Sequence, residues 1–357
     1  MKVSFVLTTP YRAQTAGGAE RWVAETARAL ARRVSVTVHY VSAADEWTAP
    51  GARRHGFVAP PLRERDRMLI APRLVRAATD ADVVHVHQFG TLTAQVTAAT
   101  ARMRGRAIFA TDLGSSGLAA GRRLGLDRLF HGFLELSEFA AAQAPPGRSR
   151  VIYGGVDTER FRPGPKAATP YALYVGRILP HKGIDWLIRS LPADLPLVVA
   201  GRPDPSGHPS YLPTLRRLAQ GKDVRFEIDP PDERVAALYA GAACATLTSV
   251  STDLYGTRRR VPELLGLTVL EALASGTPVV ASRVASLPEI VEPEVTGLLV
   301  EEHDEPGLSA ALARLAHSPA EALRMGAAGR DAVLARFTWD RVADRCLAAY
   351  RDLGGVT

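Results

Sequence analysis

The chain has 357 residues, of which 46% are apolar and 23% are charged, and its net charge is +7. This length predicts two domains, each with its own core, and the composition excludes a disordered or fibrous protein. No apolar run reaches the ~20 residues that a membrane-spanning helix needs, and residues 1–7 predict a strand rather than a secretory signal. We therefore expect a cytoplasmic protein.

The positive charge is concentrated in the first half of the chain. Residues 1–166 carry 24 basic and 14 acidic side chains, whereas residues 167–357 carry 20 and 23. This excess predicts attraction to an anionic acceptor or to the surface of an anionic membrane. Nucleic acid is an alternative partner, but the sequence shows no helix-turn-helix, zinc-finger or aromatic-rich basic pattern, so we expect none. A general bias towards arginine is the third interpretation.

The first predicted unit is a strand, a glycine turn and a helix. Residues 3–8 form the strand, and Gly17 and Gly18 begin a helix that runs to about Arg32. Such a unit is typical of a doubly wound parallel sheet, in which ligands bind at the carboxyl ends of the strands. We expect the backbone amides at Gly17 and Gly18 to lie in that binding site.

Residues 53–76 are rich in arginine interleaved with apolar residues. One interpretation is an amphipathic surface helix that follows a loop. The other is a basic face that binds a membrane surface or an anionic acceptor. The arginines in question are Arg53, Arg54, Arg63, Arg65, Arg67, Arg73 and Arg76.

Two further predicted strands end in polar side chains. Residues 83–86 form one strand, in which we expect His85 and His87 to point to opposite faces, with His87 at the ligand-binding edge. Residues 107–110 form the next strand, which ends in Thr111 and Asp112. Either His87 or Asp112 is therefore a candidate for contact with a ligand.

The second half of the chain begins a new sheet after a linker rich in proline and glycine at residues 163–170. Gly176 and Arg177 follow its first strand, and Lys182 and Gly183 begin a helix. Cations beside glycines at these two places predict a site for a diphosphate. Solvated surface cations are the alternative, but a lysine at a helix N-terminus is unfavourable unless an anion is present.

Residues 262–281 predict a loop, a helix over 267–275, a cap at Gly276 and a buried strand. The first helical turn has backbone N–H groups without helical partners, which suit a phosphate. We assign this binding to the backbone at Leu264, Gly266, Leu267 and Thr268. Two carboxylates, Glu263 and Glu271, flank this turn and are suited to accept hydrogen bonds from sugar and ribose hydroxyls.

The spacing of Glu263, Gly266 and Glu271, followed by Ala-Ser-Gly-Thr-Pro-Val-Val-Ala, resembles the signature of retaining glycosyltransferase family 4. The turn at residues 151–157 and the segments 286–291 and 296–300 resemble other elements of this family. The resemblance implies the α/β GT-B architecture, in which two Rossmann-like doubly wound parallel-sheet domains face each other across a cleft. It implies an acceptor domain at 1–166, a nucleotide-sugar donor domain at 167–337, and a helix at 338–357 that crosses back.

The resemblance also implies roles for the candidate residues. Arg177 and Lys182 would bind the donor diphosphate, Glu271 the ribose and Glu263 the transferred sugar. Many family members carry a histidine where this chain has Thr111 and Asp112, so Asp112 or His87 would contact the sugar instead. The amides at Gly17, Gly18 and Gly176 would line the same donor site.

The expected reaction is transfer of a sugar from a nucleotide-diphosphate sugar to an acceptor hydroxyl with retention of configuration, a hexosyltransferase reaction of EC class 2.4. The acceptor is a small molecule, a glycan or a lipid-linked group. The sequence shows no Asp-x-Asp pair with metal spacing, so we expect no metal and no cofactor besides the donor. The enzyme would be cytoplasmic, with peripheral membrane contact left open.

Several alternatives stay open at this point. A nucleotide-sugar epimerase or a phosphorylase could use the same architecture, and a non-enzymatic module could bind membranes or nucleic acid through its basic half. Residues 249–262 are longer than in most family members, and we interpret them as a mobile flap or a disordered insertion. The cysteines, Cys244 and Cys346, lack metal-ligand spacing and are expected to pack in the core.

Overall fold

The computed structural model describes residues 1–8, 18–42, 53–58, 72–114, 124–204 and 207–356. Their contacts divide the chain into two compact units, Met1–Gly155 with Trp339–Thr357, and Val156–Thr338. The first unit therefore contains the last helix of the chain. The predicted linker lies in the second unit, where the Lys166 ammonium group donates to the Ala242 carbonyl and the Thr277 hydroxyl at 2.9 Å each.

The described strands of the first unit form one parallel sheet in the order β3-β2-β1-β4-β5-β6-β7. The strand order reverses between β1 and β4, where Val3 is in register with Val83. In a doubly wound sheet such a reversal creates the crevice that binds ligands. The strands are β1 (Lys2–Leu7), β2 (Ser35–Ser42), β3 (Arg53–Val58), β4 (Val83–His87), β5 (Ala107–Thr111), β6 (Gly132–Glu135) and β7 (Ser149–Val151).

Helices cover both faces of this sheet. The sequence of the first helix has one apolar face, and its residues are buried, as the helical period predicts: Trp22, Val23, Thr26, Ala27 and Leu30. On the same side, the last helix packs against β5, with the rings of Phe109 and Tyr350 4.9 Å apart. The described helices of the unit are α1 (Gly18–Ala31), α2 (Pro72–Ala78), α3 (Leu92–Met103), α4 (Glu138–Ala141) and, from the end of the chain, α12 (Trp339–Gly354).

The described strands of the second unit form another parallel sheet, in the order β10-β9-β8-β11-β12-β13. The reversal here lies between β8 and β11, where Ala245 is in register with Leu173. These are the strands that precede Arg177 and the glutamate-containing loop. The strands are β8 (Ala172–Val175), β9 (Leu197–Gly201), β10 (Val224–Ile228), β11 (Cys244–Leu247), β12 (Val279–Ser282) and β13 (Gly297–Val300).

The helices of the second unit begin and end close to the predicted positions. A single turn of 3-10 helix, Pro180–Lys182, precedes the first of them. Two long helices follow β13 where the sequence predicts helical cover over residues 304–336. The described helices are α5 (Ile184–Arg189), α6 (Tyr211–Leu218), α7 (Asp232–Gly241), α8 (Leu267–Ala274), α9 (Leu287–Ile290), α10 (Glu305–His317) and α11 (Pro319–Arg336).

The arginine-rich segment differs from its prediction. Its first part, Arg53–Val58, is a strand that pairs in parallel with β2 and not a loop or a helix. The open edge of β2 supplies hydrogen-bond partners to this segment, and such tertiary pairing overrides local propensity. Further along, Pro72–Ala78 form α2, and residues 59–71, with Arg63, Arg65 and Arg67, lie outside the described residues.

Both cysteines are fully buried with free thiols, Cys244 in β11 and Cys346 in α12, which confirms their predicted packing in the cores. Across the part of the chain that the structure describes, no helix combines the length and apolarity needed to cross a membrane.

Candidate functional site

In the second unit, the candidate phosphate-binding turn is built around Gly266. This residue has φ +85° and precedes α8, and a Cβ atom placed on it would lie 2.9 Å from a Leu287 methyl group. The Gly266 carbonyl accepts the first hydrogen bonds of the helix, from the N–H groups of Val269 and Leu270. The N–H groups of Leu267 and Thr268 precede these bonds, so they belong to the helix terminus that suits an anion. The Leu264 N–H instead donates to a Glu263 carboxylate oxygen at 3.2 Å.

Glu271 lies on α8 and is 9% exposed. One of its carboxylate oxygens accepts a hydrogen bond from the Tyr239 hydroxyl at 3.2 Å. A buried carboxylate requires partners, and Tyr239 of α7 is one that the sequence analysis missed. A buried tyrosine carries a hydroxyl that seeks a partner, but its pairing across two helices is not encoded in local spacing.

Lys182 and Glu263 form a largely buried ion pair. The Lys182 ammonium nitrogen lies 2.6 Å from a Glu263 carboxylate oxygen, and their side chains are 13% and 12% exposed. Ser249 adds a long hydrogen bond to the same oxygen at 3.4 Å. The anion that the position of Lys182 requires is thus supplied by the chain itself. Lys182 also lies in the 3-10 turn before α5, and not in the first turn of the helix itself.

Arg177 is the second predicted phosphate-binding cation. Its guanidinium group donates to an Asp204 carboxylate oxygen at 3.0 Å and its side chain is 57% exposed. Gly176 precedes it with φ +151°, and the Gly176 carbonyl approaches Gly201 so closely that a Cβ at Gly201 would overlap it. Glycine is therefore required where the ends of β8 and β9 meet. The Tyr174 hydroxyl donates to the Arg177 carbonyl at 2.8 Å.

His181 lies between Arg177 and Lys182 in the sequence. Burial and neighbouring positive charges keep its side chain neutral. Burial lowers the pKa of its imidazole to about 3, and the charges of Lys182, Arg259 and Arg177 contribute in the same direction. This residue therefore adds no positive charge to the site at neutral pH. The second unit brings together Arg177, Lys182 and Glu263 at the carboxyl edge of its sheet, beside the start of α8.

In the first unit, the prediction that His85 and His87 point to opposite faces is wrong. Their rings stack with centroids 4.6 Å apart, because side chains two positions apart in a strand lie on the same face. His87 is 1% exposed and packs against Trp22 of α1, with ring centroids 5.8 Å apart. Burial lowers the pKa of His87 to about 3. The structure thus places His87 in the core beneath α1.

His85 belongs to a buried hydrogen-bond chain that joins the sheet to α12. Its Nε2 atom lies 2.8 Å from the Thr111 hydroxyl oxygen, and its Nδ1 atom lies 2.8 Å from the Tyr350 hydroxyl oxygen. Because Thr111 donates its proton to the Leu134 carbonyl, we assign the His85 proton to Nε2, and Tyr350 then donates to Nδ1. These hydrogen bonds fix α12 against the sheet, and we assign His85 no contact with a ligand.

Asp112 and Glu135 end two adjacent strands. Ala110 is in register with Phe133, so two residues further along each strand Asp112 lies beside Glu135. The two side chains point to the same face of the sheet. The Asp112 carboxylate accepts a hydrogen bond from the Gly114 N–H at 3.2 Å, and Glu135 is 2% exposed. Burial raises the pKa of the Glu135 carboxyl to about 8, and the Asp112 charge contributes. The sequence analysis missed Glu135, although an acidic residue between leucines in a buried strand signals it.

Three further predictions concern the glycine turn before α1, residues 249–262 and a metal site. Gly18 begins α1, as predicted, and Gly17 lies outside the described residues. Within residues 249–262, interpreted from the sequence as a mobile flap or a disordered insertion, Thr252 and Arg258 form an antiparallel bridge. Among the described ranges, no cluster of three or more histidine, cysteine, aspartate or glutamate side chains could hold a metal ion.

Comparison with known proteins agrees with this arrangement. The sequence model of the family described as "Glycosyl transferases group 1" matches residues 156–332. That of "Glycosyltransferase Family 4" matches residues 16–120. Each match falls within one of the two sheet-containing units.

Relatives in this family are moderately similar in sequence. D-inositol 3-phosphate glycosyltransferase 1 of Catenulispora acidiphila is 33% identical, over 97% of this chain and 94% of its own. D-inositol 3-phosphate glycosyltransferase of Mycolicibacterium paratuberculosis is 38% identical over 58% of this chain. A GDP-mannose-dependent alpha-(1-6)-phosphatidylinositol monomannoside mannosyltransferase of Mycobacterium tuberculosis is 34% identical over 58% of this chain. These last two matches span 48% and 57% of the relatives, so the chain aligns with about half of their length.

Solved structures match the whole chain. Sucrose-phosphate synthase of Thermosynechococcus elongatus has a TM-score of 0.76 at 22% identity and covers 100% of both chains. HepE of Anabaena, solved in complex with UDP and glucose, has a TM-score of 0.76 at 19% identity and covers 99% of this chain and 100% of its own. The protein thus has the GT-B fold, with two Rossmann-like parallel-sheet units. It belongs to glycosyltransferase family 4, the group 1 glycosyltransferases.

Proposed function

We propose that the protein is a retaining glycosyltransferase that moves a sugar from a nucleotide-diphosphate sugar to an acceptor hydroxyl. The observation that carries this proposal is the position of the Lys182–Glu263 pair, with Arg177, beside the N-terminus of α8. These groups lie at the carboxyl edge of one sheet, where ligands of such folds bind. A cation, a carboxylate and helix amides together suit a phosphorylated sugar.

The leaving group defines the chemistry of this site. Cleavage of the bond between the sugar and the diphosphate leaves negative charge on the phosphate oxygens, which Arg177 and Lys182 would stabilise. The amides of Leu267 and Thr268 would add hydrogen bonds to the same phosphate. Glu271 would accept hydrogen bonds from the ribose hydroxyls, and Glu263 from those of the transferred sugar.

Retention of configuration requires either a covalent intermediate or attack from the face that the leaving group departs. Glu263 is paired with Lys182 at 2.6 Å and is proposed to hold the sugar hydroxyls, so we do not assign it as a nucleophile. We propose attack by the acceptor on the face that the diphosphate leaves, in line with the resemblance to family 4. The leaving phosphate oxygen would then accept the proton of the attacking hydroxyl.

The acceptor would bind to the first unit, and we propose an anionic polyol or glycolipid as its class. The names of the relatives include an inositol phosphate and a phosphatidylinositol mannoside. The basic excess of residues 1–166 favours such an anion over a neutral acceptor. In this unit Asp112 is the candidate for a contact with hydroxyl groups, since His87 is buried in the core.

A panel of nucleotides tests the proposal at its donor step. Thermal unfolding is measured with UDP, GDP, dTDP and ADP, each with its monophosphate as the control. A ligand at 100 times its Kd stabilises the folded state by about 2.7 kcal/mol, so we expect one diphosphate to raise the Tm by several degrees. The corresponding sugar donor is then incubated with inositol phosphates, and the anomeric configuration of the product is read by NMR. No stabilisation by any diphosphate, or an inverted product, would contradict the proposal.

An epimerase of the same fold is the second candidate, and the same incubation separates it. An epimerase would convert the donor or its sugar without an acceptor, whereas a transferase would release the nucleoside diphosphate in proportion to glycosylated product.

A further inference from the structure

The segment Ser251–Arg260, which we call the arginine hairpin, is an ordered turn in the second unit. The Asp253 N–H donates to the Thr257 carbonyl at 3.1 Å, and the Arg259 N–H donates to the Ser251 carbonyl at 2.8 Å. These bonds hold its two arms in antiparallel register on either side of a turn at Tyr255 and Gly256. The hairpin therefore has a defined conformation.

Hydrogen bonds to Asp253 close the turn within the hairpin, and two further contacts, with Glu302 and His208, attach it to its unit. The Asp253 carboxylate accepts hydrogen bonds from the N–H groups of Tyr255 and Thr257, at 2.9 and 3.0 Å. The Glu302 carboxylate accepts from the Ser251 N–H at 2.6 Å and from its hydroxyl at 2.8 Å. The Tyr255 ring stacks on His208, with centroids 3.7 Å apart and an interplanar angle of 13°. The turn is thus held against the loop that follows β9.

The base of the hairpin adjoins the predicted diphosphate site. The Val250 N–H donates to the His181 carbonyl at 2.8 Å, one residue before Lys182. Arg259 is bonded through its backbone to Ser251, the next residue along this arm. The charge of Arg259 acts on His181, as do those of Lys182 and Arg177. Arg259 therefore belongs to the same local electrostatic environment as the two predicted cations.

The ion pairs of this edge distinguish Arg259 from those two cations. Lys182 is paired with Glu263, and Arg177 with Asp204. By contrast, no acidic side chain among the described residues forms an ion pair with any arginine of the hairpin, and all three are exposed. The two nearby acids have other partners, since Asp253 accepts hydrogen bonds from the turn and Glu302 accepts them from Ser251. The hairpin therefore contributes positive charge that no described carboxylate pairs with.

We propose that Arg259, on the arginine hairpin, is a third cationic ligand of the donor diphosphate. This inference rests on the proposed function and extends its site to a segment that the family signature does not include. Arg177 and Lys182 must exchange or share their carboxylate partners when an anion binds. Arg259 has no carboxylate partner to give up among the residues that the structure describes, and an arginine pairs with phosphate through charge-assisted hydrogen bonds.

Calorimetric titration of the full chain with the nucleoside diphosphate chosen by the panel tests this inference. A hydrogen bond to a charged group contributes about 1.5–3 kcal/mol, so Arg259→Ala should weaken binding at least about tenfold. Arg259→Lys, which keeps the charge, should recover part of this loss. Arg258→Ala and Arg260→Ala are matched controls in the same hairpin and should change the Kd less than about threefold, the scale of an exposed charge.

Salt gives a second readout that a merely structural role would not change. Binding is measured between about 50 and 200 mM salt, the range over which screening becomes effective. The affinity of the wild-type protein should fall more steeply over this range than that of Arg259→Ala. Normal wild-type binding together with unchanged affinity and salt dependence in Arg259→Ala would overturn this inference alone. Failure of the wild-type protein to bind any nucleoside diphosphate would overturn the proposed function as well.

Discussion

The Lys182–Glu263 pair joins two largely buried charges, which we also propose to take part in the reaction. Both side chains are largely buried, so removal of either partner leaves a charge with little solvent around it. Each partner holds the other in position at the edge of the sheet. The same two groups are those proposed to contact the diphosphate and the transferred sugar.

We expect Lys182→Ala to reduce turnover by about 10²–10³, the usual effect of removing one preorganised group that stabilises developing charge. Lys222→Ala is the matched control, because the Lys222 ammonium group donates to the carbonyls of Ile188 and Arg189 and has no proposed role in the donor site. Steady-state kinetics with the identified donor, alongside thermal unfolding of both variants, make the measurement. Turnover of Lys182→Ala equal to that of the control would contradict the assignment.

The two glutamates of the signature should respond differently to loss of their charge. Glu271→Gln should weaken nucleoside diphosphate binding by about tenfold, because a charged acceptor of ribose hydroxyls becomes a neutral one. Glu263→Gln should lower turnover more than it weakens binding of the bare nucleotide, since its proposed partner is the sugar. Calorimetry with the nucleotide and kinetics with the donor separate the two roles. Equal loss of nucleotide affinity in both variants would show that this division of roles is wrong.

Glu135 should make stability depend on pH in an unusual direction. Its pKa is raised from 4.5 to about 8 in the folded protein, so the folded state holds a proton that the unfolded state loses in this range. Its contribution to stability is therefore present below about pH 4.5 and is lost as the pH rises towards 8, at up to about 1.4 kcal/mol per pH unit. Glu135→Gln stays neutral and should not show this loss.

Urea unfolding gives the free energies of unfolding of the wild type and Glu135→Gln at several pH values. The difference between the two proteins isolates Glu135, because the buried histidines contribute equally to both. The variant should gain relative stability as the pH rises from 5 to 8. A difference that is independent of pH would mean that Glu135 is ionised in the folded protein.

At the scale of elements, the turn before α8 requires glycine for two separate reasons. Gly266 has φ +85°, a region that other residues adopt at a cost, and Leu287 occupies the place of a side chain. The turn thereby keeps the start of the helix close to Glu263. A change of backbone conformation here would move the N–H groups of Leu267 and Thr268.

We expect Gly266→Ala to destabilise the protein by about 1–3 kcal/mol, through backbone strain together with the contact to Leu287. Gly221→Ala is the control for strain alone, because Gly221 has φ +76° and a Cβ atom added to it would have no other atom within 4 Å. Denaturant unfolding gives the two free energies. Equal destabilisation would show that the Leu287 contact has no effect, and unchanged nucleotide binding in Gly266→Ala would argue against the helix amides as ligands.

At the scale of the whole molecule, the uneven charge predicts a salt-sensitive affinity for anionic surfaces. The excess of basic side chains lies in residues 1–166, and it includes Arg63, Arg65 and Arg67. We expect flotation with vesicles of anionic lipid at low salt and loss of binding near 0.15 M, where the Debye length is about 8 Å. Charge reversal of the three arginines should abolish flotation and leave nucleotide binding intact. A wild-type protein that stays unbound at low salt would exclude this membrane contact.

The sequence alone predicted most of the strands and helices in their order, because local signals define both. The alternation of apolar residues, Gly266 and Gly276 at the ends of α8, and the buried face of α1 each act within a few residues of the chain. Local signals also pointed to Arg177 with Lys182 and to Glu263 with Glu271, and the family resemblance joined the four residues into one candidate site. Local signals failed at Arg53–Val58, where pairing with β2 decided the conformation.

Only the tertiary structure decided which groups neutralise one another. Lys182 and Glu263 are 81 residues apart, Tyr239 reaches Glu271 from another helix, and Asp112 lies beside Glu135 only because their strands are neighbours. It also placed His87 in the core and showed that the arginine hairpin is ordered. Electrostatic and packing energies depend on distances through space, and the chain sets those distances only when it folds.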